Sequence, residues 1–76
     1  VARWTEARAK ERLREVGLRI TDPRVSVLRL LSGSGRPLSH TEVVERLGTG
    51  PWDQATLYRN LRKLLEAGLV RVTSHV

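Results

Sequence analysis

The sequence contains no cysteine, no methionine and no phenylalanine, and its large aromatic side chains are two tryptophans and one tyrosine. Without cysteine there is no disulfide staple and no thiolate metal site. Two histidines and no cysteine cannot complete a tetrahedral zinc site within these residues. Long apolar runs are also missing. Hydrophobic residues make up 39% of the chain, and no stretch approaches the roughly 18 apolar residues that a membrane span needs. The opening VARWTEARAKERLRE is charged where a secretory signal carries its apolar core. No serine, histidine and aspartate stand at nucleophile–base spacing, and no glycine-rich phosphate loop is present. With 76 residues there is little room for a large catalytic cleft, so the chain does not read as an enzyme.

What is present is one domain's worth of chain with a small core and a strong positive bias. Fourteen Lys and Arg face eight Asp and Glu, a net charge of +6. The excess is not uniform. Residues 1–20 hold six basic and three acidic side chains, residues 21–58 four of each, and residues 59–76 four basic and one acidic. The two ends therefore each carry +3 around a neutral middle, which points to a polyanionic partner.

Four helices are expected, over about 6–16, 23–32, 40–47 and 54–67, followed by a strand over about 69–74. The first ends at Gly17, suited to the positive φ of a helix stop, and docks through a sparse stripe of Trp4, Ala7, Leu13 and Val16. The second is capped by Thr21 or Asp22, with Pro23 in its first turn. Its apolar face is Val27, Leu28 and Leu31, with Val25 and Leu30 beside it. SGSG at 32–35 and Pro37 stop it. The third has a Ser39/Glu42 capping box and a Leu38/Val43 staple, with Val43, Val44 and Leu47 facing inward and Gly48 at its end. Asp53 caps the fourth and Gly68 closes it. At about 100° per residue, Leu57, Leu61, Leu64 and Leu65 fall on one face of this helix. Ala55, Arg59, Arg62 and Glu66 fall opposite, Thr56 and Lys63 flank them, and Tyr58 sits at the edge. LVRVTS then alternates as a strand with one buried face.

The third helix, a short connection and the fourth helix form a helix-turn-helix pattern, and a strand directly after it marks the winged variant. The expected fold class is mainly α, a winged helix-turn-helix. On the exposed face of the fourth helix, Gln54, Ala55, Thr56, Tyr58, Arg59 and Arg62 are side chains suited to base edges and phosphates: Arg pairs with guanine, Gln with adenine, and Ala or a Tyr ring packs on a thymine methyl. The pattern alone leaves a second reading open, in which the same face docks a partner protein without specific DNA binding.

DQATLYRNLRKLLEAGLV (53–70) resembles the recognition helix of the ferric uptake regulator family, which runs S-x-A-T-V-Y-R-x-L-x-x-L-x-x-x-G-L-[VI]. Ala55, Thr56, Tyr58, Arg59, Leu61, Leu64, Gly68, Leu69 and Val70 match it. GLRITDPRVSVLRLL (17–31) and RPLSHTEVVERL (36–47) resemble two further blocks of that family, in the right order and spacing. The resemblance implies a cytoplasmic transcriptional repressor that responds to a divalent metal, zinc or iron-type. It also implies a homodimer reading an inverted-repeat operator in double-stranded DNA. Tyr58 and Arg59 are then the expected base contacts, Thr56 and Ala55 lie at the groove surface, Arg24 touches the phosphate backbone, and Arg12 or Arg14 approaches the backbone or minor groove.

The departures are as informative. Asp53 stands where the family has a serine cap, and a carboxylate there repels DNA unless it points into the helix end. Arg36 stands where a histidine ligand often does. His40 and His75 are the only histidines, and neither carries a confident metal role. The strand ends where a hairpin turn should begin, so the wing hairpin is expected to be incomplete in this chain. The resemblance places a metal-binding dimerisation domain after it.

Overall fold

The computed structural model describes residues 3–48 and 50–73. Its order is α1 (Glu6–Glu15), α2 (Asp22–Ser32), β1 (Leu38–Ser39), α3 (His40–Leu47), α4 (Gln54–Glu66) and β2 (Val72–Thr73).

Each helix starts at a side-chain oxygen that accepts from the backbone N–H three residues on. Thr5 accepts from Arg8, Thr21 from Arg24, Ser39 from Glu42 and Asp53 from Thr56. One orphan donor of each first turn is thereby satisfied, typically worth about 1 kcal/mol. The structure selects Thr21 over Asp22 as the α2 cap and places Pro23 in the first turn, where a missing N–H costs nothing. At α3 the capping box closes both ways, Glu42 N–H to Ser39 Oγ at 3.1 Å and Ser39 N–H to Glu42 Oε1 at 3.1 Å.

Two helices end by the same device. Gly17 and Gly68 adopt φ of +76° and +75°, a conformation glycine enters without a Cβ penalty. The next residue then donates back across the last turn, Leu18 to Leu13 and Leu69 to Leu64, while each glycine donates to the carbonyl three residues before it. This is the Schellman arrangement.

The core joins Ala9 and Leu13 of α1, Val25, Val27, Leu28 and Leu30 of α2, Leu38, Val43 and Val44, and Leu57, Leu61 and Leu64 of α4. Burying one such leucine contributes roughly 1.5–3 kcal/mol. α2 is the hub and packs on α1, α3 and α4. The stretch before α1 is tied to the far end of α2. Trp4 donates its backbone N–H to Ser32 Oγ at 3.0 Å, and Arg29 Nε donates to the Trp4 carbonyl at 2.8 Å.

Three expectations need correction. The α1 stripe is Ala9 and Leu13, one turn apart, with Trp4 half-buried, whereas Ala7 and Val16 are exposed. α1 stops at Glu15, so Val16 becomes its C-cap and points away from the packed face. The final strand is two residues, not six. Leu69 spends its N–H closing α4 and cannot also join a sheet ladder. Within the expected strand, Ser74 lies outside the described residues. Finally, the strand after α4 has a neighbour, β1, that the sequence reading did not include. It pairs in parallel with β1, Leu38 opposite Val72 and Ser39 opposite Thr73. Nothing in the period of residues 36–41 signals a strand there, because β1 is only the extended step into the α3 cap. The result is mainly helical, four helices with a short strand after the last, a winged helix-turn-helix architecture.

Candidate nucleic-acid interface

α4 is fixed from below. Leu57, Leu61 and Leu64 are fully buried against α2 and α3 and leave α4 no freedom to roll. The opposite side then has to face solvent. Gln54, Ala55, Tyr58, Arg59, Arg62 and Lys63 are all exposed there, and Thr56 is half-buried. Tyr58 keeps 42% of its surface open.

The charges on this face are little used by the protein itself. Arg62 reaches Glu66 one turn on only at 3.7 Å, with its side chain 82% exposed. An exposed pair of that kind contributes little to stability. Arg59 makes no hydrogen bond or ion pair among the described residues. The Asp53 carboxylate turns into the helix end, accepting from Thr56 N–H at 2.8 Å. The Thr56 hydroxyl and backbone N–H, with the Arg59 charge adding to them, hold Asp53 below the ordinary carboxylate range. Its negative charge is thus spent on the α4 terminus.

Arg24, expected at the phosphate backbone, also makes bonds within the protein. Its Nε donates to Asn60 Oδ1 at 3.0 Å and its Nη1 to the Arg19 carbonyl at 2.8 Å. Asn60 in turn donates Nδ2 to the Thr56 carbonyl at 2.7 Å. This chain of bonds bolts the start of α2 to the middle of α4. Arg24 retains one nitrogen for an outside acceptor, while its other bonds tie α2 to α4. Asn60 was not singled out by the sequence reading. Its signal was available, since a mid-helix asparagine is disfavoured unless its amide finds a local partner.

His40 is the other unanticipated participant. As the first residue of α3 it stacks on Tyr58, ring centroids 5.9 Å apart and planes 25° from parallel. Offset stacking of this kind limits the positions the Tyr58 ring can take. Arg36, the other residue weighed in that region, is committed to Glu42, with Nη2 to Oε2 at 2.6 Å. That pair, followed by the Ser39 N–H, draws the Glu42 carboxyl down to about 2. Among the described residues no group of three or more His, Cys, Asp or Glu could hold a metal ion. His75 lies outside the described residues.

The two candidate arginines of α1 divide. Arg12 is half-buried and paired with Glu15, whereas Arg14 is exposed and has no ion pair among the described residues. α1 packs on α2 rather than on α4, so the structure groups Gln54, Ala55, Thr56, Tyr58, Arg59 and Arg62 on one surface, attaches Arg24 to it from beneath, and leaves Arg12 and Arg14 on a separate helix. Among the described residues no helix is long and apolar enough to cross a membrane.

Neither a curated protein nor a solved structure matches the chain. A family model described as a helix-turn-helix domain matches residues 24–73, from the first turn of α2 through β2. That span takes in both helices of the motif, the hub they pack on and the strand that follows, and the chain belongs to this helix-turn-helix domain family.

Proposed function

We propose that the chain is a sequence-specific DNA-binding transcriptional regulator that reads the major groove with α4. The observation that carries this reading is the contrast between the two sides of that helix. One is fully buried, and the other presents Gln54, Ala55, Tyr58, Arg59 and Arg62 with almost no internal partners. The N-terminal half of a recognition helix meets base edges, and Arg59 is the residue with the fork to take guanine O6 and N7. Tyr58, steadied by His40, offers a flat apolar surface to a thymine methyl. Arg62 and Arg14 are phosphate contacts in this reading, and Arg24 orients the helix while offering its remaining nitrogen to the backbone.

We further read the chain as the DNA-binding part of a regulator of ferric uptake regulator type, on the three residue blocks quoted above. In that reading it represses as a homodimer on an inverted repeat, and metal sensing and dimerisation belong to a following domain. The described residues do not offer a metal ligand set, so no step of DNA recognition is routed through a metal here.

A selection from random duplexes followed by fluorescence anisotropy tests the core of the proposal. Arg59→Ala and Tyr58→Ala are each expected to weaken binding to the selected site by about 1–3 kcal/mol and to relax the preference at one position. Parent-like binding by both variants would mean that α4 is not the reading head. An absence of salt-dependent DNA affinity in the parent would favour a protein-docking role for the same face.

A further inference from the structure

A second basic surface stands apart from α4. Arg3, Ser26, Arg29, Leu30, Arg46 and Leu47 line an open cleft of about 380 Å³. Its three arginines come from three separate elements: the segment before α1, α2 and α3. No carboxylate lines it. Arg3 and Arg46 make no hydrogen bond or ion pair among the described residues. Arg29 spends Nε on the Trp4 carbonyl and keeps both terminal nitrogens.

The arrangement is held in place. The bonds from Trp4 to Ser32 and from Arg29 to Trp4 fasten the segment that carries Arg3. Gly33 lets it approach closely, since a Cβ there would meet the Arg3 Cβ at 2.8 Å. Three like charges around one concavity repel one another, and among the described residues no carboxylate lines it to offset them. An anion would offset that repulsion, and guanidinium forks suit the paired oxygens of a phosphate. Ser26 adds a hydroxyl donor.

The cleft also faces away from the reading helix. Arg24 marks the side of α2 turned to α4, through its bond to Asn60. Ser26 is two residues on, roughly 200° round the helix. The molecule measures 31 × 25 × 21 Å, about the width of a duplex, so DNA lying along α4 leaves this side open.

We propose that the cleft is a binding site for the phosphate or pyrophosphate group of a small molecule, occupied independently of DNA. The proposal does not rest on the reading of α4. Calorimetric titration at low ionic strength tests it, with inorganic phosphate, pyrophosphate and a short duplex as the three ligands. Pyrophosphate is expected to saturate at one per chain. Arg46→Ala and Arg3→Ala should each weaken it about tenfold or more, the loss expected for a charge-assisted contact. Arg71→Ala removes an equal charge elsewhere and should change it less than about twofold. Arg46→Lys keeps the charge but loses the fork, and should fall between. Duplex affinity of Arg3→Ala and Arg46→Ala should stay within about twofold of the parent. Equal losses in Arg71→Ala, or no saturation, would overturn the proposal, because the attraction would then be general charge. So would Arg46→Ala weakening the duplex as much as pyrophosphate, since the cleft would then be part of the DNA footprint. If Arg46→Ala fails to fold, the exposed Arg3→Ala gives the same reading. Saturable pyrophosphate with no duplex binding at all would instead remove the proposed function and leave the cleft standing.

Discussion

α1 carries three Arg and one Lys and α4 two Arg and one Lys, yet the two helices use their charge in opposite ways. On α1 the cations are largely answered within the helix: Arg8 by Glu11, Lys10 by Glu6, Arg12 by Glu15. On α4 the Arg62–Glu66 pair is long and exposed, and Arg59 and Lys63 have no ion pair among the described residues. The packing differs in the same sense. α1 buries one alanine and one leucine, Ala9 and Leu13, whereas α4 buries three leucines and is bolted to α2 through Asn60 and Arg24. Net charge therefore does not identify a binding surface. What does is charge left unanswered on an element that the core holds rigid.

The comparison can be broken at several points. The largest effect should come from the buried side of α4. Leu61→Ala leaves a cavity under the reading helix and should cost about 2–5 kcal/mol of stability, read by urea denaturation. A loss well under 1 kcal/mol would mean that α4 is not anchored as described.

The bolt comes next. Asn60→Ala leaves the Arg24 Nε without its acceptor in a half-buried place, at a cost of about 1–3 kcal/mol. It should also weaken DNA binding, although Asn60 itself need not touch DNA. Unchanged stability together with unchanged DNA affinity would remove Arg24 and Asn60 from the positioning role.

Acid sharpens the contrast at a third point, the start of α3. Glu42 is held at about 2 when folded, against an ordinary value of 4.5, so the folded chain binds that proton less readily than the unfolded one. Its contribution is therefore fully present above about pH 4.5 and is lost as the pH falls toward 2. Asp53 is shifted in the same direction, so its contribution is likewise lost on acidification. Between pH 6 and 2.5 the denaturation midpoint of the parent should fall more than that of Glu42→Gln; parallel falls would show that the Arg36–Glu42 pair adds nothing. The smallest effect belongs to α1: Arg12→Ala should change stability by less than about 1 kcal/mol, because a helix-surface pair three residues apart contributes little.

Much of this was legible before the structure. The caps at Thr21, Ser39 and Asp53 and the glycine stops at Gly17 and Gly68 are local devices, spelled by residues a few positions apart. The α4 faces are legible for the same reason, since helical periodicity sorts Leu57, Leu61 and Leu64 from Arg59 and Arg62 without reference to any partner. Where the pattern was sparse it misled. In α1 the choice between Ala7 and Ala9 turns on which side α2 approaches, and two alanines offer almost no hydrophobic contrast to decide it.

The sequence by itself thus determined the number of helices, their ends, and which side of α4 is left to solvent, because each of those follows from backbone capping and from burial of apolar side chains at a fixed period. Only the tertiary structure decided what meets what. Arg24 and Asn60 are 36 residues apart and Trp4 and Ser32 are 28 apart. Leu38 meets Val72 in the sheet, His40 meets Tyr58, and Arg3, Arg29 and Arg46 gather round one cleft. No local propensity encodes such meetings. They arise because the helices can bury their apolar sides together in only a few relative positions, and the polar side chains take the neighbours which that packing leaves them.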